Sequence, residues 1–358
     1  MKKRVVVAMS GGVDSSVAAY LLLKKGYEVI GVTLKLFNTN KIGTGHYCGI
    51  EGANAARGVA SKLGIPFYVL NYVKEFEKEV IQYFTEEYKN GRTPNPCIVC
   101  NEKIKFDSLL EKAKGFNAKY VATGHYVRIR HDKIKRRYIL KKAKDKRRDQ
   151  SYFLFSLPQR ALKHAIFPLG DLSKEDVRKI AKKIGIKVHN KPGSQEICFI
   201  PDNDYKKFLT ETKQDINTSG LIFNTKGEIL GKHKGISFYT VGQRKGLGVA
   251  HKGPLYVLSI NKKENTIVVG ETDDTYFKEL IAKNVNWIAI NKIKGPIRTE
   301  AQTRYNEPSA RAKVSRYGKN KIRVVFDKAQ KSPAPGQAVV FYNREIVLGG
   351  AVIEETIA

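Results

Sequence analysis

Over roughly its first 200 residues the chain alternates short, β-rich runs with stretches in which apolar residues recur at helical spacing. The run Val5–Met9 passes through two glycines into Asp14–Leu23, whose spacing is helical. Glu28–Leu36, Pro66–Leu70 and Tyr120–Thr123 repeat the first pattern, and Gly52–Leu63, Val73–Tyr88 and the region around Phe106–Lys114 repeat the second. Ser173 and Asp176 have capping-box spacing and open a helix over Glu175–Ile184 that Gly185 closes. Such alternation predicts an α/β fold, a parallel sheet with helices on both faces. Ligands of open sheets sit at the carboxyl ends of the strands. The glycine turn after Met9 and the segment Thr123-Gly124-His125 both lie at such ends, so they can face one pocket.

Past about residue 205 helical periodicity fades and short alternating strands take over. Leu255–Ile260 and Thr266–Val269 read as strands, and Ser237–Gly248 as a strand running into a basic, glycine-rich loop. From about Leu280 the pattern is all-β, with strands expected at Val285–Ile290, Gln302–Tyr305, Ala310–Ser315, Lys321–Phe326, Ala338–Tyr342 and Ile346–Ile353. Strands at this spacing, punctuated by Gly and Pro, predict a small β-barrel. The chain contains no internal repeat and no low-complexity tract. It divides on these patterns into residues 1–203, a small central domain 204–275 and a barrel 276–358.

A length of 358 residues calls for two or three domains, and an apolar content of 42% is ordinary for a globular protein. No apolar stretch approaches the length of a membrane helix. The start, Met1-Lys2-Lys3-Arg4 and then Val5–Met9, imitates a signal peptide only briefly before Gly11, Gly12 and Asp14 end it, which predicts a cytoplasmic protein. Charge changes the picture more. Sixty-five Lys and Arg stand against 34 Asp and Glu, a formal net charge of +31, and this excess points to a polyanionic partner. The cations are densest in Arg128–Arg148, with Tyr138 among them, and in Arg304–Arg323, which holds Tyr305, Arg311, Lys313, Arg316, Lys319 and Lys321. Binding through such residues weakens steeply with salt.

The chemistry starts at Ser10-Gly-Gly-Val-Asp14-Ser15-Ser16. In a strand–glycine turn–helix, the backbone N–H groups of the turn and of the first helical turn point at one spot without partners, and the helix dipole adds positive charge there. A phosphate fits that spot, with Gly11 and Gly12 letting the backbone approach and Ser10, Ser15 and Ser16 offering hydroxyls. The loop is neither a Walker P-loop, whose lysine it lacks, nor a G-x-G-x-x-G turn. It resembles the SGGxDS pyrophosphate loop of the ATP pyrophosphatases, which cleave ATP to AMP and pyrophosphate.

Four cysteines, Cys48, Cys97, Cys100 and Cys198, are too few for a secreted disulfide scaffold. Thr93-Pro94-Asn95-Pro96-Cys97-Ile98-Val99-Cys100-Asn101 places two thiols in an exposed segment stiffened by prolines. A helix expected to start near Asn101 would put Cys100 at its positive end and lower its pKa. Cys198, in Ser194–Ile200 (SQEICFI) after Pro192 and Gly193, supplies a third thiol. Three uses compete. A structural zinc site would have to recruit Cys198, Cys48 or His46 to complete a lone CxxC. An iron–sulfur cluster could be held by Cys97, Cys100 and Cys198 with one iron left open. In thiol-based sulfur transfer, one cysteine carries a persulfide and another resolves it as a disulfide. The last fits best beside a pyrophosphatase loop, and Cys48, after His46-Tyr47 in a glycine-rich loop, reads as loop packing.

SGGVDSS, GRTPNPCIVCN, ATGHY (Ala122–Tyr126), DQSYFL (Asp149–Leu154), SQEICFI, FYTVGQRKGLG (Phe238–Gly248) and SPAPGQAVVFY (Ser332–Tyr342) follow one another in this order. Together they resemble the bacterial tRNA-specific 2-thiouridylase family over essentially the whole chain. The resemblance implies an N-terminal adenine-nucleotide α-hydrolase-like domain, a small central domain and a C-terminal β-barrel. It implies replacement of the C2 oxygen of the tRNA wobble uridine by sulfur, with ATP and Mg²⁺ and a persulfide from a sulfur-relay donor protein or cysteine desulfurase. Carried over residue by residue, Ala8, Met9, Ser10, Gly11, Gly12, Val13, Asp14 and Ser15 would hold the phosphates, with Leu34 and Gly124 flanking the adenosine. Cys198 would carry the persulfide and Cys100 the second thiol. Cys97 stands where many members have Asp, a candidate acid/base group. Asn95, Pro96, Cys97 and His125 would approach the target base, and Arg148, Asp149, Gln150, Arg304, Tyr305 and Gln337 would touch tRNA. Two rivals are an amidating synthetase of the same superfamily, which would not need paired thiols, and a non-catalytic RNA-binding protein, against which the intact loop argues.

Overall fold

The computed structural model describes residues 2–37, 50–186, 197–200, 204–212 and 218–357, so Cys48, His46 and Pro192–Glu196 lie outside the described residues. The chain forms two compact units. The first comprises Met1–Ile81, Cys97–Asn203 and Glu345–Val347, and the second Gln82–Pro96, Asp204–Arg344 and Leu348–Ala358.

The first unit is built on β1 (Arg4–Ala8), β2 (Glu28–Lys35), β3 (Phe67–Asn71), β4 (Tyr120–Ala122), a hairpin of β5 (Val127–Asp132) and β6 (Arg137–Lys142), and β7 (Ala165–Ile166). β3, β2, β1, β4 and β7 lie side by side in that order, all parallel. The apolar runs explain the order. Val5, Val6 and Val7 of β1 are wholly buried, as the central strand of a doubly covered sheet must be. β3, at the edge, leaves Tyr68 and Val69 exposed. Helix α1 (Val13–Lys24) packs Val17, Ala18 and Leu22 into the core beside Val59 and Ala60 of α2 (Ile50–Leu63) and Val177 and Ala181 of the helix Lys174–Lys183. That last helix carries the expected capping box between Ser173 and Asp176.

The second unit holds the helices Gln82–Lys89 and Tyr205–Thr212, where Tyr88 stacks on Tyr205 with ring centroids 4.8 Å apart. It also holds two β-structures. β8 (Gly220–Phe223), β9 (Ile229–His233), β10 (Tyr256–Asn261) and β11 (Thr266–Gly270) form a sheet in the order β10-β11-β8-β9. β12 (Tyr276–Trp287), β13 (Ile297–Gln302), β14 (Ala310–Tyr317), β15 (Lys321–Lys331), β16 (Ala338–Asn343) and β17 (Ile346–Ile357) form an antiparallel ring. β12 pairs with both β15 and β17, which closes the ring around Leu280, Val314, Val324, Phe326, Val339 and Phe341.

Four local expectations are corrected. The segment after Ser237 is a short 3-10 turn, Ile236–Phe238, leading into turns, because its glycines interrupt any ladder. The strand expected at Val285–Ile290 runs over Tyr276–Trp287, and that expected at Gln302–Tyr305 ends at Gln302. The helix before β4 starts at Pro96, not Asn101: Pro96–Val99 is followed without a break by wide π turns over Cys100–Ser108 and then Leu109–Gly115. Proline suits a first helical position, where its missing N–H costs nothing. Cys97 therefore occupies the first helical turn and Cys100 the next.

Candidate functional site

The glycine loop leaves β1 with Met9 N–H bonded to the Val32 carbonyl at 2.8 Å and the Met9 carbonyl accepting the Thr33 hydroxyl at 2.6 Å. These bonds tie the start of the loop to the carboxyl half of β2. Gly11 has φ +77°, and a Cβ there would collide with the Gly52 carbonyl oxygen of α2. Gly12 caps α1 with no side-chain hydrogen bond to the first-turn amides. Ser15 and Ser16 turn their hydroxyls back to the Gly12 carbonyl, at 3.2 and 2.9 Å. The Ser15 Oγ also accepts the Ser10 N–H at 3.2 Å. The result is a stiff turn whose amides are left for an anion, the arrangement a phosphate fits.

An aspartate inside such a cradle looks self-defeating, since its charge repels phosphate. The fold neutralises it. Lys174 Nζ, on a side chain only 10% exposed, lies 2.6 and 2.7 Å from the two Asp14 oxygens, and the Tyr126 hydroxyl donates to Asp14 Oδ1 at 2.7 Å. Burial pushes the Tyr126 phenol far up, and the Asp14 charge pushes it further, so the phenol stays protonated and a donor. Lys174 is the first residue of its helix and 160 positions from Asp14 in sequence. Nothing in the local pattern around it signals this role. Tyr126 lies in the ATGHY motif but gave no separate chemical signal.

β4 delivers the other wall. A Cβ on Gly124 would stand 2.7 Å from Ser15 N and 2.8 Å from the Asp14 carbonyl carbon, so the chain there passes against the first turn of α1 as only glycine allows. His125 Nδ1 lies 2.7 Å from Thr123 Oγ1, and its ring meets Phe167 edge-on at 6.4 Å. Burial, with the Lys105 ammonium adding, pushes the His125 imidazole well below its ordinary value, so it is neutral at physiological pH. Leu34 is 8% exposed near the end of β2.

The DQSYFL segment is fastened to the same strand end. Gln150 and Tyr126 exchange two bonds, Tyr126 N–H to Gln150 Oε1 and Gln150 N–H to the Tyr126 carbonyl, both 2.9 Å. Asp149 accepts from Ala143 N–H at 2.8 Å and from the Ser151 hydroxyl at 2.7 Å, and burial raises its carboxyl. Both side chains thus brace the fold. The Arg148 guanidinium is close enough to Tyr126 to act on its phenol.

Two cysteine-bearing segments reach this end of the sheet. Phe199, next to Cys198, packs edge-on against Phe76 at 5.6 Å, and Phe76 packs on Phe37 at 6.5 Å, just past β2. Cys198 itself is partly exposed. Asn101, next to the buried Cys100, donates to the Phe153 carbonyl at 3.1 Å and accepts from Lys105 at 2.9 Å. Cys97 is exposed. Among the described residues no three His, Cys, Asp or Glu side chains gather as a metal site. None of the helices among the described residues is long and apolar enough to cross a membrane.

The remaining candidates lie in the second unit. Asn95 and Pro96 end the segment Gly91–Pro96, which the barrel holds. Gln337 donates from Nε2 to the carbonyls of Thr93 and Pro94 at 3.1 and 3.2 Å, and Thr93 N–H donates to the Pro335 carbonyl at 2.7 Å. Tyr83 bonds to the Asn95 backbone, although burial has pushed its phenol up to about 12. Arg304 donates to the Ser332 carbonyl at 2.7 Å and pairs with Glu307 at 3.2 Å, with Tyr305 half-buried beside it.

Comparison with known proteins agrees with this architecture. Residues 3–202 match the family described as tRNA methyl transferase HUP domain, residues 206–271 its PRC-barrel domain, and residues 277–353 the aminomethyltransferase beta-barrel domain. The tRNA-specific 2-thiouridylase MnmA of Clostridioides difficile is 49% identical over 359 residues, covering 100% of this chain and 99% of that protein. The protein of the same name from Acetivibrio thermocellus is 50% identical over 357 residues, covering 99% of each.

Proposed function

The chain belongs to the tRNA-specific 2-thiouridylase family, and from that premise we propose that it replaces the C2 oxygen of the wobble uridine of tRNA with sulfur, consuming ATP. The observation that carries this reading is the meeting, at one end of one sheet, of an uncapped anion cradle and the segment bearing Cys198 through Phe199, Phe76 and Phe37. The domain families carry the words methyl transferase. Paired thiols beside a pyrophosphate-type loop fit sulfur chemistry instead, as do the names of the full-length relatives.

The uracil C2 oxygen is a very poor leaving group. Attack of that oxygen on the α-phosphorus of ATP would form an O–P bond and release pyrophosphate, leaving the oxygen bound to AMP. Residues Ala8–Ser15 would hold the phosphates, with Leu34 and Gly124 beside the adenosine. Mg²⁺ arriving with ATP supplies charge neutralisation of the phosphates. The terminal sulfur of a Cys198 persulfide would then attack C2 and expel AMP, forming a C2–S–S–Cys198 bond. A Cys100 thiolate would attack the Cys198 Sγ, releasing the thiolated base and leaving a Cys100–Cys198 disulfide, which an external dithiol reduces. This route is favoured over a three-cysteine iron–sulfur cluster because thiol-based sulfur transfer suits a pyrophosphatase-type loop, and iron and labile-sulfide analysis after anaerobic purification separates the two. The neutral His125 imidazole could offer a hydrogen bond to the base, and Asn95, Pro96 and Cys97 would approach it. Arg148–Gln150, Arg304, Tyr305 and Gln337 are proposed to face tRNA.

The test combines ATP, Mg²⁺, unmodified tRNA and a persulfide donor protein or cysteine desulfurase, with 2-thiouridine measured by nucleoside mass spectrometry. Wild type should form it. Cys198→Ser should form none while binding ATP normally. Absence of product with every sulfur supply would refute the proposal.

A further inference from the structure

The β5–β6 hairpin carries Arg128, Arg130, Lys133, Lys135, Arg136, Arg137, Lys141 and Lys142 against one acid, Asp132. The structure treats the two ends of this hairpin differently. At the base, Arg128 and Lys141 pair with Glu345 at 3.0 and 3.3 Å, Lys142 N–H donates to the Glu345 carbonyl, and Ile346 pairs with Lys141. Midway, Gln159 takes both backbone groups of Tyr138, accepting its N–H at 2.8 Å and donating to its carbonyl at 2.9 Å. The Tyr138 ring lies 4.7 Å from that of His131. The hairpin is therefore anchored and stiff.

Its tip is the opposite. Asp132 Oδ1 accepts the N–H groups of Ile134 and Lys135 at 3.1 and 3.0 Å, which shapes the turn. Around it Arg130, Lys133, Lys135 and Arg136 are exposed, and no carboxylate among the described residues lies within ion-pair distance of them. Ile134, between two lysines, is 96% exposed. Four cations held together on a stiff arm repel one another, and the arrangement is stabilised by a polyanion.

We propose that the tip of the β5–β6 hairpin, through Arg130, Lys133, Lys135 and Arg136, is a docking surface for the sugar–phosphate backbone of the tRNA. The inference rests on the function proposed above and names a surface that it does not use. Continuity singles out RNA. β5 begins two residues after His125, and β6 leads into Arg148–Gln150, so the arm is bracketed by the nucleotide site and by residues proposed to face tRNA. One exposed isoleucine supplies about 1.5–3 kcal/mol on burial, too little to hold a membrane surface.

The test compares wild type with a K133Q/K135Q/R136Q variant for binding of unmodified tRNA from 0.05 to 0.3 M KCl, and for thiolation kinetics. The variant should bind tRNA about tenfold more weakly, and the slope of log K against log salt should shrink by roughly 2 to 3. Contacts made equally in ground and transition states raise KM and leave kcat unchanged. A K133R/K135R variant should bind like wild type, which separates charge from any disturbance of the turn. If wild type neither binds nor thiolates tRNA, the proposed function fails. If wild type does both and the triple variant keeps its affinity and salt slope, the hairpin inference alone is overturned. It is equally overturned if the triple variant binds tRNA normally but takes sulfur from an acidic persulfide-carrier protein more slowly than wild type does.

Discussion

The nucleotide loop and the hairpin tip sit in the same unit and spend their cations in opposite ways. At the loop, Lys174 is buried and locked onto Asp14, with Tyr126 completing the carboxylate's partners. Its charge faces inward, and the groups left for a ligand are backbone amides. At the tip, cations are raised on an anchored arm around the turn-forming Asp132, with no carboxylate among the described residues within ion-pair distance, and are themselves what a ligand meets. A buried pair sets geometry and is screened little by salt, whereas exposed charges set attraction and are screened strongly. A cation's role is therefore read from the acid it does or does not have, not from its sequence density.

The largest effect expected on the buried side comes from Lys174→Met. It strands the Asp14 carboxylate against the phosphate cradle. Stability should fall by up to ~3 kcal/mol, and ATP affinity should fall at least tenfold. Adding Asp14→Asn should recover part of both losses, because the stranded charge is gone. Chemical denaturation and calorimetric titration with ATP measure these quantities. The stability loss should be nearly the same at low and high salt, unlike the tRNA affinity lost from the hairpin tip. A loss that vanishes at high salt would erase the contrast between the two regions.

Tyr126→Phe is milder. It removes one hydroxyl that donates to a charged acceptor, for about 1.5 kcal/mol, the low end for such a bond because the Lys174 pair stays in place. A loss equal to that of Lys174→Met in denaturant melts would show that the phenol, not the ammonium, carries the loop.

The smallest effect is a pH dependence at His125. Its folded pKa lies well below the ordinary 6.5. Above about 6.5 both folded and unfolded chains hold the ring neutral, and the residue adds no pH dependence. Below that, the unfolded chain takes up a proton that the fold refuses, so stability declines as pH drops from about 6.5 toward the folded value. Wild type should lose melting temperature faster than His125→Gln across this interval. Parallel curves would mean that the imidazole is not held in a site that resists charge.

Periodicity made most of this molecule legible. Four of the five parallel strands come from β-rich runs, whereas the two-residue β7 carries no such run and went unread, and the cradle comes from a motif whose glycines, acid and serines each have a stated task. What stayed hidden is non-local or polar. The hairpin was obscured because its cations read as a charge run, although Ile139 and Leu140 are buried inside it. Lys174 was invisible because its partner is 160 positions away. The bond from Gln337 to the Thr93 and Pro94 carbonyls joins distant segments, which no local pattern encodes. The early start of the helix at Pro96 was missed because its π turns carry no ordinary helical period.

The ring closure of the barrel also has a consequence in time. β14 and β15 meet across a tight turn, but β12 reaches β17 only when Glu279 finds Ile357 and Leu280 finds Thr356 across the whole length of the ring. Pairings so remote in sequence lose the most chain entropy before any contact rewards them. During refolding, the seam between the first and last strands should be the slow step, and the barrel should pass through a half-open sheet before it seals.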